Sequence, residues 1–284
     1  MIYLLAASLL WAFSFGLIKT QLAGLDPVTV ACARLLLASI IFLPWLCRDQ
    51  IRRDLIPRAM GLGVIQFGLM YVFYITSYTW LDAWQVALFT IFTPLYVVLL
   101  ADANQDRFHA KHLIAAIVAV VGAAFVNWSS PLGADWRGVL VLQAANICFA
   151  WGQLRFGALR RDAGGRDAAL VGWMTLGAFI MTFLTILVRS PGDIDAVLDW
   201  QPTALWSILY LGVVPTGLGF YLWNRGAART PDGLLAVANN LKVPLAVIVS
   251  WTVFGEEAMS VRLVLGLAVI VVGLWWVRPK AVAS

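Results

Sequence analysis

Apolar residues run along the chain in ten long blocks, each ended by a short cluster of charged residues, proline or glycine. The blocks cover approximately 2–22, 27–47, 58–80, 83–102, 111–128, 137–157, 168–189, 202–224, 232–254 and 261–277. A helix needs about 20 mostly apolar residues to cross the hydrocarbon core of a bilayer, and every block is near that length. The pattern predicts an all-α integral membrane protein with ten spanning helices and short connections. Those connections hold most of the charge, as in the stretches 48–54 and 160–167. No low-complexity or linker segment intervenes, so residues 1–284 read as one membrane domain.

Composition narrows the function. The chain is 62% hydrophobic and 12% charged, with a mean hydropathy of +0.85. A soluble domain is roughly half apolar and a quarter charged. A water-soluble enzyme and a disordered chain are both excluded, because neither can keep this much apolar surface in water. The formal charge of +5 would suggest nucleic acid in a soluble protein. In a membrane protein it reads as basic cytoplasmic loops, with no nucleic-acid partner. Cys32, Cys47 and Cys148 lie far apart inside apolar runs and read as small buried hydrophobes. The first block lacks a basic leader and a small-residue cleavage site, so it is expected to be a retained span.

Lys and Arg set orientation in membrane proteins. With a cytoplasmic N-terminus and ten crossings, the inner connections hold 14 of these residues and the outer ones 4, Arg34 and Lys242 lying within spans. Both termini are therefore expected to be cytoplasmic, in the cell inner membrane. A shift of 150 residues pairs Tyr71 with Tyr221, Phe73 with Trp223, Asp82 with Asp232, Pro94 with Pro244 and Asp106 with Glu256, and a shift of 140 pairs Trp11 with Trp151. The chain thus reads as two five-helix repeats, 1–130 and 131–284. An odd number of spans per repeat makes the two inverted, with the substrate expected near the midplane between them.

These features resemble the drug/metabolite transporter superfamily, in its EamA-type branch. Trp11-Ala12-Phe13-Ser14-Phe15-Gly16 is similar to the opening motif of the first span, with Ser14 where the family often has Asn. Arg34 matches an arginine common in the second span, the stretch Asn239 to Glu256 contains the Pro and Gly-Glu of the ninth, and Gly266 and Gly273 fit the tenth. Size, aromatic richness and Lys242 resemble bacterial aromatic amino acid exporters. The resemblance implies an exporter of amino acids, aromatic ones included, working by alternating access without ATP.

Two cations fall inside spans, where an ionised group costs at least ~3 kcal/mol and tends to be functional. Lys242 lies about midway along the ninth block and is expected to contact anionic substrate groups. Arg34 lies about a third of the way in and reads as a structural anchor that snorkels outward. No Asp or Glu lies in the middle of any block. A cationic-drug/proton exchanger lacks the carboxylate it needs, and facilitated movement of carboxylate-bearing cargo is the simpler mechanism.

Polar and aromatic stripes mark faces that avoid lipid. They are Gln143, Asn146, Ala150, Gln153 and Gly157 in the sixth block; Phe67, Tyr71, Tyr74 and Tyr78 in the third; Tyr210, Gly217, Tyr221 and Asn224 in the eighth; and Asn239 with Lys242 in the ninth. Each serves either interhelical packing or a cavity wall. The candidate substrate-binding set is Lys242, Asn239, Tyr78, Tyr74, Tyr71, Asn146, Gln153, Trp151, Trp11 and Tyr221, with Pro94, Pro215 and Pro244 as kinks near gates. Most other tryptophans fall near block ends, as interfacial belts do.

His109 and His112 lack a third ligand, and no metal, cofactor, nucleotide or nucleophile motif is legible. A membrane-embedded enzyme on a lipid-like substrate, or an exporter of another anionic or zwitterionic metabolite, are the alternatives to amino acid export. Partners are a small-molecule substrate and membrane lipid, the protein acting as a monomer or a homodimer.

Overall fold

The computed structural model describes residues 1–48, 51–105, 134–189 and 195–231, together with single positions 110, 114, 192, 235, 238, 239, 242, 245, 249, 252, 253, 265, 268 and 272. Most of the fifth, ninth and tenth blocks, Pro244, His109 and His112 lie outside the described residues. Seven long helices are described: α1 (Ile2–Gln21), α2 (Pro27–Arg48), α3 (Leu55–Ser77), α4 (Ala83–Ala103), α5 (Trp136–Asp162), α6 (Asp167–Arg189) and α7 (Pro202–Ala227). No strand occurs among the described residues. Helices are what lipid demands, since no water is there to satisfy an unpaired backbone group. Six of the seven are long and apolar enough to cross a bilayer.

The helices turn large apolar side chains outward, as Leu5, Leu9, Ile40 and Leu184 show, and bury small or polar ones such as Ala7, Ser8, Ala38, Thr175 and Ala178. Without a hydrophobic force between helices in lipid, close approach supplies the packing energy. The crossing of α3 with α6 shows this most clearly. A Cβ on Gly63 would run into the backbone of Met174, and one on Gly177 would lie 2.6 Å from the Met60 carbonyl oxygen. Elements from opposite ends of the chain interleave: α2 and α3 pack on α6, α3 and α4 on α5, and α1 and α2 on α7.

Three helices are irregular. α3 carries a π segment at Val64–Leu69, α7 one at Gly212–Gly219, and α4 a 3-10 turn at Thr90–Phe92. Proline explains two of them, because it removes the bond to the carbonyl four residues back. Pro215 orphans the carbonyl of Leu211, and the Thr216 hydroxyl donates to it at 2.6 Å. Pro94 does the same to Thr90, whose carbonyl accepts from the Thr93 hydroxyl at 2.7 Å.

Charge pairs tie the two ends of the bundle. At the arginine-rich end the buried Asp167 accepts from Arg160 Nε at 2.6 Å and Arg225 Nη1 at 3.0 Å, with Arg229 Nη2 at 3.8 Å. At the other end Lys19 pairs with Asp82 at 3.2 Å and donates to the Leu81 carbonyl at 3.1 Å. The sequence block 137–157 ends before α5 does. The helix runs on to Asp162, carrying Arg155, Arg160 and Arg161, because Arg58 and Asp167 supply partners for its charged last turn.

Candidate substrate cavity

Where the interleaved helices meet, they leave a cavity lined by Trp11, Ser14 and Phe15 of α1, Arg34 of α2, Met70, Tyr71 and Tyr74 of α3, and Thr90 of α4. Ala145, Asn146 and Phe149 of α5, Phe220 of α7 and Lys242 complete it. It contains about 540 Å³ of free space, part of it open to the surroundings. About 70 Å³ admits the centre of a water molecule. One water needs about 10–15 Å³ by that measure, so the chamber holds several.

Among the described residues two cations face this space. Lys242 is 7% exposed, and its Nζ lies 5.6 Å from the centre of the Trp11 ring and 5.2 Å from that of Phe149. Cation–π contact stabilises an ammonium there. Among the described residues no hydrogen bond or ion pair reaches Nζ. Arg34 is 1% exposed. Its Nε donates to Thr216 Oγ1 at 3.2 Å and its Nη2 to the Tyr71 hydroxyl at 3.0 Å, with the guanidinium 4.2 Å above the Tyr71 ring. Nη1 has no partner among the described residues. The expectation of an outward snorkel is therefore corrected: inside the bundle Arg34 finds a hydroxyl pair and an aromatic face, which the interface would not give it. Among the described residues no carboxylate lines the cavity.

Local backbone chemistry holds these groups in place. Thr216 can reach both Arg34 and Leu211 because Pro215 forces the π segment. The Pro215 carbonyl in turn accepts from Trp11 Nε1 at 2.9 Å. Gly219 leaves room for that indole, since a Cβ there would lie 2.8 Å from Nε1. Ser14 adds a buried hydroxyl with no partner among the described residues. Asn146 lines the cavity and also donates to the Phe89 carbonyl at 3.1 Å, beside the α4 break. Part of the stripe in the sixth block is therefore packing.

The expected site residues divide. Lys242, Tyr71, Tyr74, Asn146 and Trp11 share the cavity wall. Tyr78 stands behind Tyr74, their hydroxyls 2.8 Å apart. Trp11, Phe149, Phe220 and Trp223 form an aromatic floor on the side of the arginine-rich end, with Trp11 and Trp223 centred 4.9 Å apart and Trp11 and Phe220 5.3 Å. Gln153 and Asn239 lie beyond it: Trp223 Nε1 donates to Gln153 Oε1 at 2.9 Å, and Asn239 Nδ2 approaches the same oxygen at 3.4 Å. Tyr221 accepts from Arg225 at 3.1 Å, and Trp151 is half-buried with Arg155 over its ring at 5.8 Å. Neither Tyr221 nor Trp151 lines the cavity. Ser14, Phe15, Arg34, Met70, Thr90, Ala145, Phe149 and Phe220 are wall residues outside the candidate set, although a second cation within a span was the signal for Arg34.

The sequence pattern of the EamA-like transporter family matches residues 1–128 and again residues 136–278. The chain is 32% identical to the biotin transporter of Salmonella typhimurium, over 99% of this chain and 95% of that one. It is 36% identical to a probable biotin transporter of Pseudomonas aeruginosa, over 96% of each. A probable amino-acid metabolite efflux pump of Salmonella typhimurium is 24% identical over 93% of this chain and 90% of its own length. One crystal structure, 17% identical, superposes with a TM-score of 0.75 over 98% of this chain and 96% of its own, which shows a shared fold. Six apolar helices of spanning length and family matches over nearly the whole chain lead to one conclusion: the chain belongs to the EamA-like transporter family, as a multi-pass transporter of the inner membrane.

Proposed function

We propose that the cargo is biotin or a close carboxylate-bearing relative of it. The observation that carries this reading is the pairing of Lys242 and Arg34 in one cavity that no carboxylate lines among the described residues. Such a chamber favours a ligand with one net negative charge. Biotin is an apolar chain bearing a carboxylate at one end and a bicycle with a cyclic urea at the other. The cations suit the carboxylate, and Trp11, Phe15, Phe149 and Phe220 suit the chain and rings. An amino acid would add an α-ammonium beside two cations, with no protein carboxylate among the described lining residues to receive it. The amino-acid reading, supported by the efflux-pump relative, is therefore the second choice, and the anionic alternative takes its place.

The route is alternating access between two inverted five-helix halves, 1–130 and 131–284. The two family matches, one on each side of that boundary, support the halves. So do the π segments: shifting Val64–Leu69 by 150 residues lands it within Gly212–Gly219. With both termini cytoplasmic, the cavity sits in the outer half, and the aromatic floor and the Asp167 cluster close the cytoplasmic side. The absence of mid-block carboxylates from the sequence favours movement down the cargo's own gradient.

Uptake of labelled biotin into proteoliposomes tests the reading. Saturable uptake, competed by unlabelled biotin but not by phenylalanine and lost in Lys242→Ala, is expected. Absence of biotin uptake alongside robust phenylalanine transport would replace it with the amino-acid reading.

A further inference from the structure

Beneath the aromatic floor, four buried amides come together: Gln66 of α3, Gln153 of α5, Asn224 of α7 and Asn239. Gln66 Nε2 donates to Asn224 Oδ1 at 2.9 Å. Gln66 lies against α5 at Gly152, where any Cβ would strike its side chain. That places it beside Gln153, which is joined through Trp223 to the stretch holding Asn224. All four side chains are more than nine-tenths buried, and each has one polar atom without a partner among the described residues: Gln66 Oε1, Gln153 Nε2, Asn224 Nδ2 and Asn239 Oδ1.

Chemistry fixes which atoms are left over. The Trp223 indole can only donate, so Gln153 must turn its oxygen to it and leave its nitrogen free. Asn239 must turn its nitrogen to the Leu235 carbonyl, 3.0 Å away, and leaves its oxygen free. The Gln66–Asn224 pair leaves one acceptor and one donor whichever way both amides are flipped. The cluster therefore offers two acceptors and two donors. An unmet buried amide atom costs about 1–3 kcal/mol, and four in one place mark a spot built for something else to bind.

We propose that this cluster is a second substrate subsite that reads a cyclic urea. A cyclic urea presents two N–H donors and a carbonyl with two lone pairs, the complement of two acceptors and two donors. The inference rests on the biotin reading and deepens it. Lys242 and Arg34 hold the carboxylate in the outer chamber, and the amides receive the ureido ring when the floor of Trp11, Phe220 and Trp223 gives way. A site of paired amides rejects ligands lacking those groups, because its own atoms would then stay unmet.

The test is competition against labelled biotin uptake in proteoliposomes by two carboxylates of similar length. Desthiobiotin keeps the cyclic urea, and lipoate has a dithiolane in its place. Desthiobiotin should compete nearly as well as biotin, and lipoate at least about tenfold more weakly. The double variant Gln66→Leu/Asn224→Leu removes both members of one hydrogen bond and orphans neither. It should weaken biotin about tenfold and leave lipoate within about twofold, with Asn239→Leu, which touches the other pair, doing the same. Equal competition by lipoate and desthiobiotin in the unaltered protein overturns the subsite while biotin transport stands. So does undiminished selectivity in a variant that elutes as a single sharp peak. Absence of biotin uptake in the unaltered protein overturns both readings.

Discussion

The indole of Trp11 donates to the carbonyl of Pro215 at 2.9 Å, so the first helix is fastened to the break in α7, 204 residues away. The bond joins two jobs in one side chain. The ring supports the Lys242 ammonium and forms the cavity floor, and the N–H fixes the π segment that presents Thr216 to Arg34. Trp11→Phe keeps a ring and removes the bond. A buried hydrogen bond contributes about 1 kcal/mol, so the melting temperature in detergent should fall by about 2–4 °C. Biotin binding should weaken as well, because Thr216 loses its fixed position; an unchanged affinity would separate the α7 break from the site.

Lys242 and Arg34 should respond differently to conservative change. Lys242→Arg retains a charge over the Trp11 and Phe149 faces and should keep measurable transport, whereas Lys242→Ala should not. Arg34→Lys cannot reach Thr216 and Tyr71 together with a single ammonium. It should lose about tenfold in biotin affinity, a charge-assisted bond being worth about 1.5–3 kcal/mol. Isothermal titration in detergent distinguishes the cases. Full affinity in Arg34→Lys would show that the fork geometry is irrelevant.

The crossing of α3 with α6 has no slack. Gly63→Ala places a methyl against the Met174 backbone, which no rotamer can avoid, so the helices must separate. Overpacking of this kind costs about 1–3 kcal/mol. Thermal unfolding should report it, with Gly61→Ala, where nothing lies within 4 Å of the added carbon, as the matched control that stays near the parent value.

Asp167 should be a stability residue with little part in affinity. Asn in its place leaves Arg160 and Arg225 facing a neutral group. Breaking a fully buried pair costs about 3–5 kcal/mol, but these arginines are 20% and 29% exposed, so screening lowers the expected cost to about 1–2 kcal/mol. Asp167→Asn should melt several degrees lower and bind biotin normally. A large fall in affinity with an unshifted melting curve would contradict this assignment.

Much of the fold is legible in the spacing of apolar blocks, because a bilayer permits few alternatives to a helix about 20 residues long. Lys242 is legible for the same reason, since a charge at that depth needs a cavity or a partner. The direction of Arg34 is not. Its side chain is long enough to reach either way, and only the partners on α3 and α7 decide. The stripe through Gln143 and Asn146 shows polarity but not purpose: Asn146 serves both the cavity and the Phe89 carbonyl beside a proline break. Pro215 announces the irregular part of α7, whereas Val64–Leu69 contains no proline or other marker of its π turn.

Under the alternating access proposed above, the twin cations would also make the carrier sensitive to voltage. In that cycle a chamber with two fixed positive groups would carry them through part of the membrane field each time its mouth changes sides, and each full elementary charge is worth about 2.3 kcal/mol per 100 mV. An anionic passenger cancels one of them. A negative interior would then draw the vacant form toward the cytoplasm more strongly than the loaded one, so polarisation alters the return stroke more than the delivery stroke.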